Sequence, residues 1–571
     1  MPLTCRFLPG WLRNYRQEQL GADLLAGLVV TVLVIPQSLA YALLAGLPPQ
    51  VGLYVSILPV IAYALLGSSM VQSVGPVAIT AIMTYAVLSP LAAPGSPEYI
   101  VLAAALSLVS GVMLLACGAM RLGFLAQLLS RPVISGFISG SAILIIVSQM
   151  KHLLGLSLNG ANAWQLLVDL LRLFPGSHWP TLAIGTAALV TLAFVRSGLT
   201  GTLVRLGVSI GKATFVVRLM PLLVVLLATV VVIALDLDRR QGVAVVGTVV
   251  EGLPGFEFVF PAFDTLKRLL VPAAVMALIG MVQGITLAQT MAIKRRERID
   301  ANAELLGLGG ANVVAAFSGG MPVGGGLSRS AINVAAGAQT PLASIVSGVS
   351  MIAVVAGAAH CFARLPLAVL AATIVMAAYT MIDIRGLRQA WAYDRADGLA
   401  WLSTAGGVLV FGLEAGIGLG VLLSMGTLLL RASTPHIAVI GRIPGSEHFR
   451  NVERYEVQTI PGVLFLRIDE SLFFGNLGAV ELRLNQALEQ SSGIRHLVLV
   501  MSAVNRMDAT AVEVLAEVNR DLTERNTRLH LAEVKGPVQD RLLHSELWAS
   551  LSGEVFLSAN EAFEKLGGQL E

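Results

Sequence analysis

An arginine between two serines lies in a glycine-rich stretch of the sequence, GGMPVGGGLSRSAINVAAG, at residues 319–337. Apolar segments flank this stretch on both sides, so a helix that begins within it begins in an apolar environment. The start of a helix presents unpaired N–H groups and the positive end of the helix dipole, and both attract anions. The hydroxyls of Ser328 and Ser330 add donors. Arg329 adds positive potential without being a permanent close partner of the anion. The pattern predicts reversible binding of a small anion.

The first half of the chain contains a matching interruption, SMVQSVGPVAITAIM at residues 69–83, where Gly75 and Pro76 precede a short apolar run. Short segments that glycine and proline interrupt, at corresponding positions of two halves, indicate the substrate site of a transporter. Irregular backbone at membrane depth occurs only where it lines a cavity or is buried in protein. We therefore predict two half-helices whose N-termini face one another in the middle of the membrane.

Other interpretations of these residues exist. Gly324, Gly325 and Gly326 suit close helix packing as well as the close approach of an anion. An arginine near a helix end can extend to the membrane surface, but the short helix after Arg329 places its start well inside the bilayer. For this reason we interpret Arg329 as a functional residue.

The composition places these segments in a membrane. The 571 residues are 56% hydrophobic and 13% charged, whereas soluble domains carry about 25% charged residues, and the mean hydropathy is +0.78. The apolar runs that begin at Ala26 and Pro221 approach the ~20 residues that span a hydrocarbon core, and the first is too long for a cleaved signal peptide. The cysteines Cys5, Cys117 and Cys361 are scattered singly, so we expect neither a metal site, a disulfide framework nor a cofactor.

Charge divides the chain near residue 436. The residues from His436 onward include 13 basic and 19 acidic ones, a net charge of −6, while the preceding 435 residues carry 25 basic and 16 acidic ones, a net charge of +9. Hydropathy falls and turn residues gather at this boundary. We predict a cytoplasmic N-terminal segment at 1–20, a transmembrane domain at 21–435 and a soluble domain at 436–571.

The transmembrane part is predicted to be helical and polytopic. Several of its apolar segments are too short to span the membrane alone, so we expect about fourteen spans, from segments near 24–46, 51–67, 75–90, 98–119, 124–150, 163–174, 179–196, 219–237, 265–292, 302–318, 323–337, 341–361, 365–382, 397–412 and 415–431. The connections that are densest in Lys and Arg, 195–218 and 294–298, are predicted to be cytoplasmic. The connection at 236–258 then falls on the opposite side, and both termini are predicted to be cytoplasmic.

Several stretches resemble the motifs of one family. The stretch from IPQSLAY to VGPVA (35–78) and that from NAELLG to TPLA (302–343) are similar to the signature regions of the sulfate permease (SulP) anion transporters. In the soluble part, 471–480, 496–515 and 529–542 resemble a STAS domain. The resemblance implies a seven-plus-seven inverted repeat with a core and a gate, a cytoplasmic α/β STAS domain, elevator-like alternating access and a homodimer.

The resemblance also implies which residues line the anion pocket. Gln37 can donate from its amide, and Tyr41 offers a hydroxyl and a ring edge. Without the resemblance, we would interpret Tyr41 as an interfacial or core aromatic residue. The family's substrate-binding positions fall on Gln37, Tyr41, Gly75, Pro76, Val77, Ser328 and Arg329.

One position departs from the family pattern. Many members carry a glutamate in the helix before the basic connection at 294–298, whereas this sequence has Gln283 in the context GMVQG. Membrane carboxylates are the usual partners of protons or cations in coupled transport, and an amide cannot take up or release a proton. We therefore hypothesise that proton symport through Gln283 is absent, although this residue also suits simple helix packing.

The soluble tail alternates apolar strands with helical periods, the pattern of an α/β domain. It lacks a metal cluster, a P-loop or a nucleophile elbow, so catalysis is not expected there. STAS domains that act as anti-sigma antagonists are phosphorylated on a Ser or Thr that follows a strand, and the corresponding residue is Thr510 in MDATAVE. Thr510 also suits a plain role in capping its own helix.

The sequence as a whole predicts a transporter of small inorganic or carboxylic anions in a bacterial-type inner membrane, without enzymatic activity or nucleic-acid binding. Sulfate is the first expected substrate, and bicarbonate and dicarboxylates are alternatives. A second hypothesis is a receptor that senses an anion and signals through STAS to a cytosolic partner. A nucleobase permease is a third, but such permeases favour carboxylates at the half-helix site, where this sequence has Arg329.

Overall fold

The chain forms two compact units, one that ends at Ser424 and one that begins at Met425. Cys5, Cys361, the start of the predicted N-terminal segment and part of the connection at 236–258 lie outside the described residues. The computed structural model describes residues 9–127, 129–158, 160, 162–247, 252, 261–357, 362–491 and 493–568.

The first unit is helical. Among the residues described, eight helical stretches are long and apolar enough to cross a membrane by length and composition, as predicted for a polytopic domain. The count of fourteen spans and the inverted repeat remain predictions. The helices lie at Gly10–Arg13, Leu20–Leu44, Pro49–Tyr54, Leu58–Leu66, Ala78–Leu88, Pro97–Ala119, Arg131–Leu154, Ala163–Leu173, Trp179–Phe194, Thr200–Arg205, Ile210–Ala234, Leu237–Arg240, Phe263–Arg295, Ala301–Phe317, Leu327–Ala335, Leu342–Gly357, Leu367–Tyr379, Ile384–Tyr393, Arg395–Phe411 and Leu413–Ser433.

Three local features need comment: one prediction was wrong, one segment has a turn within it, and one helix was missed. The apolar segment expected at 51–67 coincides with the candidate membrane span Pro49–Leu66, within which the chain turns between Tyr54 and Leu58 and forms two helices. The predicted connection at 195–218 is largely helical: a π-helical turn at Val195–Leu199 continues the preceding helix, and another helix begins at Ile210. The sequence reading also missed the helix Ile384–Tyr393, in which no residue is buried.

Two long helices of the first unit approach each other through glycines. A Cβ atom on Gly111 would lie 2.8 Å from the backbone nitrogen of Val313, and one on Gly309 would lie 2.7 Å from that of Leu115. Real side chains do not tolerate such distances, so both positions require glycine, as in other close helix pairs in membranes. The contact fixes the helix Ala301–Phe317, which leads directly into the glycine-rich stretch.

Among the described residues of the first unit, two carboxylates are buried, and both have several hydrogen-bonding partners. Glu304 accepts hydrogen bonds from the Tyr63 hydroxyl (2.6 Å), the Ser68 hydroxyl and the backbone N–H groups of Ser68 and Ser69. Asp23 accepts from the hydroxyl and N–H of Thr340 and from the N–H of Gln339. Such pairing favours a structural role, because buried charges need hydrogen-bonding partners.

The second unit is the predicted α/β domain. Its six-stranded sheet has the order Phe449–Asn451, Ile437–Arg442, Val463–Ile468, His496–Val500, Arg528–Ala532 and Val555–Phe556. The first two pairings are antiparallel and the other three are parallel. Apolar residues of the strands lie on both faces of the sheet, and helices cover them, at Leu477–Gln490, Ala509–Glu524, Gly536–Leu542, Glu546–Ser550 and Ala559–Gly568.

A pair of histidines bridges two parallel strands of this sheet. His530 is 2% exposed, and its Nδ1 atom accepts a hydrogen bond from the N–H of Glu554 at 2.9 Å. The proton of neutral His530 is therefore on Nε2, from which it donates to Nδ1 of His496 at 3.0 Å. Burial, followed by the neighbouring His496, lowers the pKa of His530 to about 4.

We expect the second unit to lose stability as the pH falls from about 6.5 towards 4. The unfolded state binds a proton on His530 in this range whereas the folded state does not, so stabilisation present at neutral pH is lost, on the order of 1–2 kcal/mol at pH 5. Hydrogen exchange of the strand Arg528–Ala532 in the full-length protein at pH 7 and 5 measures the loss. His530→Asn should reduce the pH dependence, and His448→Asn, at an exposed position, should not. Equal protection at both pH values would contradict the expectation.

Candidate functional site

The two interrupted stretches form the predicted half-helices. We call Ala78–Leu88 the first half-helix and Leu327–Ala335 the second half-helix. Each follows a strand of two residues, and these strands, Val74–Gly75 and Gly324–Gly325, pair in antiparallel register. The chain therefore enters the two half-helices from opposite directions at one point of the fold.

Further hydrogen bonds join the two segments that lead into the half-helices. The N–H of Gly326 donates to the Ser73 carbonyl at 3.2 Å, and the N–H of Ser73 donates to the Ser330 hydroxyl at 3.0 Å. The amide of Asn333 donates to the Val71 carbonyl at 3.0 Å. Ser330, predicted as a donor to the anion, instead accepts a bond that joins the two half-helices.

Both half-helix N-termini open on one cavity of about 570 Å³. Their N-cap residues, Val77 and Gly326, have no side-chain hydrogen bond to the first turn, so the first N–H groups of both helices lack the usual capping partners. Two uncapped N-termini at one cavity concentrate positive potential there.

Most of the residues predicted for the pocket line this cavity. Tyr41 accepts a hydrogen bond from the Gln37 amide at 3.0 Å, which leaves the hydroxyl proton of Tyr41 free to be donated elsewhere. Gly75 is not part of the lining; it lies in the strand behind the cavity. The predicted residues that do line the cavity are Gln37, Tyr41, Pro76, Val77, Ser328 and Arg329, together with Gln283.

Arg329 is held in place by hydrogen bonds to the protein itself. The side chain is 4% exposed, and its guanidinium donates to the carbonyl of Val74 at 3.2 Å and to the hydroxyls of Ser38 at 3.1 Å and Ser56 at 3.3 Å. These acceptors are all neutral, so the positive charge at the cavity wall is held in place without being neutralised.

Gly75 explains how the guanidinium fits behind the wall. A Cβ atom at this position would overlap the Nη1 atom of Arg329. The close approach, rather than a contact with the ligand, requires glycine here. Gly325 has a similar role, because its Cβ would lie 2.8 Å from the Gln72 amide, although Gly325 and Gly326 also line the cavity. The glycines thus serve both close packing and access to the cavity.

We expect Gly75→Ala to displace the Arg329 side chain and to destabilise the membrane unit by about 1–3 kcal/mol, as overpacking does elsewhere. Thermal unfolding in detergent measures the loss. Gly418→Ala is the matched control, because a Cβ on this helical glycine meets nothing within 4 Å. Equal unfolding temperatures for the two variants would show that Arg329 can move away freely.

The cavity wall has a distinct charge pattern. Among the described residues of the lining, Arg196 and Arg329 are the charged ones, and neither Asp nor Glu is present. At the position where a coupling carboxylate is predicted to be missing, Gln283 faces this same cavity. The buried carboxylates Asp23 and Glu304 lie elsewhere and already have their partners.

Sequence reasoning missed several residues of the site. Ser38 and Ser56, which hold Arg329, are single serines in apolar segments, and only tertiary packing brings them together. Thr373 and Thr380 add hydroxyls to the lining. Arg196 lies in the basic stretch 195–218, which we interpreted as topology alone; its place next to a long apolar helix was the available signal.

Thr510 lies at the start of the helix Ala509–Glu524 in the second unit and is exposed. The interpretation of Thr510 as a capping residue is wrong, because Asp508 is the N-cap and its carboxylate accepts from the N–H of Ala511 at 2.8 Å. Phosphorylation of Thr510 remains a prediction.

A helical membrane unit in which two short helices meet end to end at a cavity is the architecture of secondary transporters with broken helices. The sequence profile of the sulfate permease family matches residues 20–404, and that of the STAS domain matches residues 454–562. The chain belongs to the sulfate permease family and carries a STAS domain, so the prediction of a multi-pass membrane transporter is confirmed.

Relatives and solved structures agree with this assignment. The chain is 34% identical to a probable sulfate transporter of Mycobacterium tuberculosis over 94% of its own length and 93% of the relative. It is 32% identical to the chloroplastic sulfate transporter 4.1 of Arabidopsis thaliana, over 97% and 80%. In fold it resembles the murine solute carrier 26 family member A9 anion transporter, with a TM-score of 0.89, 22% identity and coverage of 100% and 95%. The transmembrane domain of the cyanobacterial bicarbonate transporter BicA gives a TM-score of 0.61 at 23% identity, over 71% and 99%.

Proposed function

We propose that the protein is a secondary transporter of small anions, with sulfate as its first substrate, and that the anion binds between the two half-helix N-termini. The observation that carries the proposal is the charge pattern of the cavity. Two uncapped helix N-termini and the buried, un-neutralised Arg329 face it, and its described lining has no acidic side chain. A site of this kind favours anions and disfavours cations and nucleobases.

Each predicted site residue has a distinct task in this proposal. Backbone N–H groups at the start of both half-helices donate to the anion, and the Ser328 hydroxyl, which is exposed to the cavity, adds a donor. The Gln37 amide holds the oxygen of Tyr41, so that the Tyr41 hydroxyl donates towards the cavity. Arg329 supplies charge from behind the wall. Neutral, fixed donors suit a transporter, because binding must remain weak enough for release.

Transport by elevator-like alternating access fits the way the half-helices are joined. The strand ladder and the bonds of Ser73, Ser330 and Asn333 tie them into one body, so both halves of the site would move together. The inverted repeat, the division into core and gate, and the homodimer belong to the same proposal. We place both termini and the STAS domain in the cytoplasm of a bacterial-type cell, and the membrane domain at 21–435.

Sulfate is preferred over bicarbonate and dicarboxylates because the mycobacterial relative is described as a probable sulfate transporter and the Arabidopsis relative as a sulfate transporter. The similarity to a bicarbonate transporter is a similarity of fold alone and does not bear on the substrate. An anion-sensing receptor that signals through STAS to a cytosolic partner, with Thr510 as its regulated residue, is the alternative function.

Purified protein in liposomes distinguishes these functions. Labelled sulfate, bicarbonate and succinate are supplied outside, with and without unlabelled anion inside, and both binding and accumulation are measured. If labelled sulfate accumulates, and does so faster when the liposomes contain unlabelled sulfate, the protein is supported as an exchanging sulfate carrier. If only bicarbonate or only succinate accumulates, that anion replaces sulfate as the proposed substrate. If an anion binds but none of the three accumulates, the receptor function is favoured.

A further inference from the structure

The cavity contains a second cation that the proposed anion site does not use. Arg196 lines the cavity from the segment that joins Trp179–Phe194 to Thr200–Arg205, away in sequence from both half-helices. Unlike Arg329, Arg196 is exposed, and among the described residues it has neither a hydrogen bond nor an ion pair to its side chain. Its guanidinium is therefore free to bind a ligand.

The surroundings of Arg196 give no structural reason for a charge. The lining residues from the segment of Arg196 and from the helices Trp179–Phe194 and Ile210–Ala234 are otherwise apolar: Leu192, Val195, Val217, Pro221, Leu222 and Val225. A charged side chain in an apolar wall inside a membrane protein is costly, and such residues mark substrate pathways.

The backbone at Arg196 is also unusual. The residue lies in the π-helical turn Val195–Leu199, between two regular helices. A π-helical turn inserts one extra residue into a helix and is frequently found at functional sites. Arg196 is the second residue of this turn.

We propose that Arg196 is the second cationic contact of the transported anion and that it sets a preference for doubly charged over singly charged anions. The proposal rests on the proposed anion transport. Arginine presents a planar fork of donors that matches the oxygens of a tetrahedral oxyanion. A second cation at the site stabilises a bound dianion about twice as much as a bound monoanion, because the Coulomb energy scales with the charge of the ligand.

Uptake kinetics in liposomes test the proposal. The KM for labelled sulfate and the inhibition constant of chloride as a competitor are measured for the wild type, Arg196→Gln, Arg196→Lys and Arg205→Gln. Because a hydrogen bond to a charged group is worth about tenfold or more in affinity, Arg196→Gln should raise the KM for sulfate by about that factor. The inhibition constant of chloride should change much less, and Arg196→Lys should lie between. Arg205, on the same basic stretch but outside the lining, is the control and should behave as the wild type.

A second measurement uses the wild-type protein and does not depend on the folding of a variant. Phenylglyoxal modifies accessible arginines, and mass spectrometry of the modified peptides reports each residue separately. Sulfate should protect Arg196 and leave Arg205 unprotected. Unchanged sulfate KM in Arg196→Gln, or equal shifts for sulfate and chloride, would overturn the role of Arg196 while leaving anion transport intact. A wild type that neither binds nor moves sulfate or chloride would overturn both proposals.

Discussion

Replacement of Arg329 by alanine is expected to lower sulfate uptake by about a hundredfold, comparable to removal of a key donor from a preformed anion site. The guanidinium is the charge held nearest the two half-helix N-termini, and it also supports the strand at Val74 through a hydrogen bond. Its loss removes attraction for the anion and leaves the Val74 carbonyl and the hydroxyls of Ser38 and Ser56 without this donor. Initial rates of labelled sulfate uptake in liposomes, at equal amounts of reconstituted protein, measure the effect.

Two control variants separate the effect of the Arg329 charge on the anion from the structural effect of its hydrogen bonds. Arg329→Lys keeps the charge but cannot reach three acceptors with a planar fork, so it should retain part of the uptake. Ser56→Ala removes one acceptor and keeps the charge, so it should lower the unfolding temperature clearly and the sulfate uptake rate only slightly. If Arg329→Ala folds and transports sulfate as fast as the wild type, the anion does not depend on this charge, and the proposed site is wrong.

Sulfate uptake is expected to be unaffected by an inward proton gradient in the wild type and to become dependent on it in Gln283→Glu. The amide of Gln283 cannot exchange a proton, whereas a carboxylate at the same point would face the cavity. When ionised, the glutamate would repel a dianion through the low-dielectric cavity, and protonation would relieve that repulsion. Uptake is measured with the membrane potential clamped, at equal and unequal pH across the liposome membrane.

Gln283→Ala is the matched control, since it removes the amide without adding an acid and should remain insensitive to the gradient. Gradient-driven uptake by the wild type would show that another group carries the proton. Glu304 would then be the first residue to test, although its four hydrogen bonds favour a fixed, ionised carboxylate.

Much of the fold could be predicted because its determinants are local. Long apolar runs predicted the spanning helices, and the helical period ATAVEVLAEVNRDLTE coincides with the helix Ala509–Glu524. The glycine and proline residues before Ala78 and Leu327 predicted that both helices are short and begin inside the membrane unit. Such signals require no knowledge of which segments are neighbours in space.

The parts of the site that escaped prediction depend on tertiary contacts. A serine in an apolar helix looks the same whether it binds its own backbone or an arginine almost three hundred positions away, as Ser38 does. The amphipathic helix Ile384–Tyr393 has no apolar run to reveal it. The stretch 195–218 reads as a loop because of its glycines and charges, yet a π-helical turn lets the helix continue there.

The bond between Ser73 and Ser330 joins residues 257 positions apart, and this distance has a consequence for biosynthesis. At synthesis rates of ~5–20 residues per second, the first half-helix leaves the ribosome roughly ten to fifty seconds before its partner strand exists. During this interval Val74 and Gly75 lack the ladder that later satisfies their backbone groups, and lipid offers no substitute. Assembly of the paired half-helices is therefore a late event of maturation, and the insertion machinery or neighbouring helices must shelter the unfinished half until translation has passed residue 330.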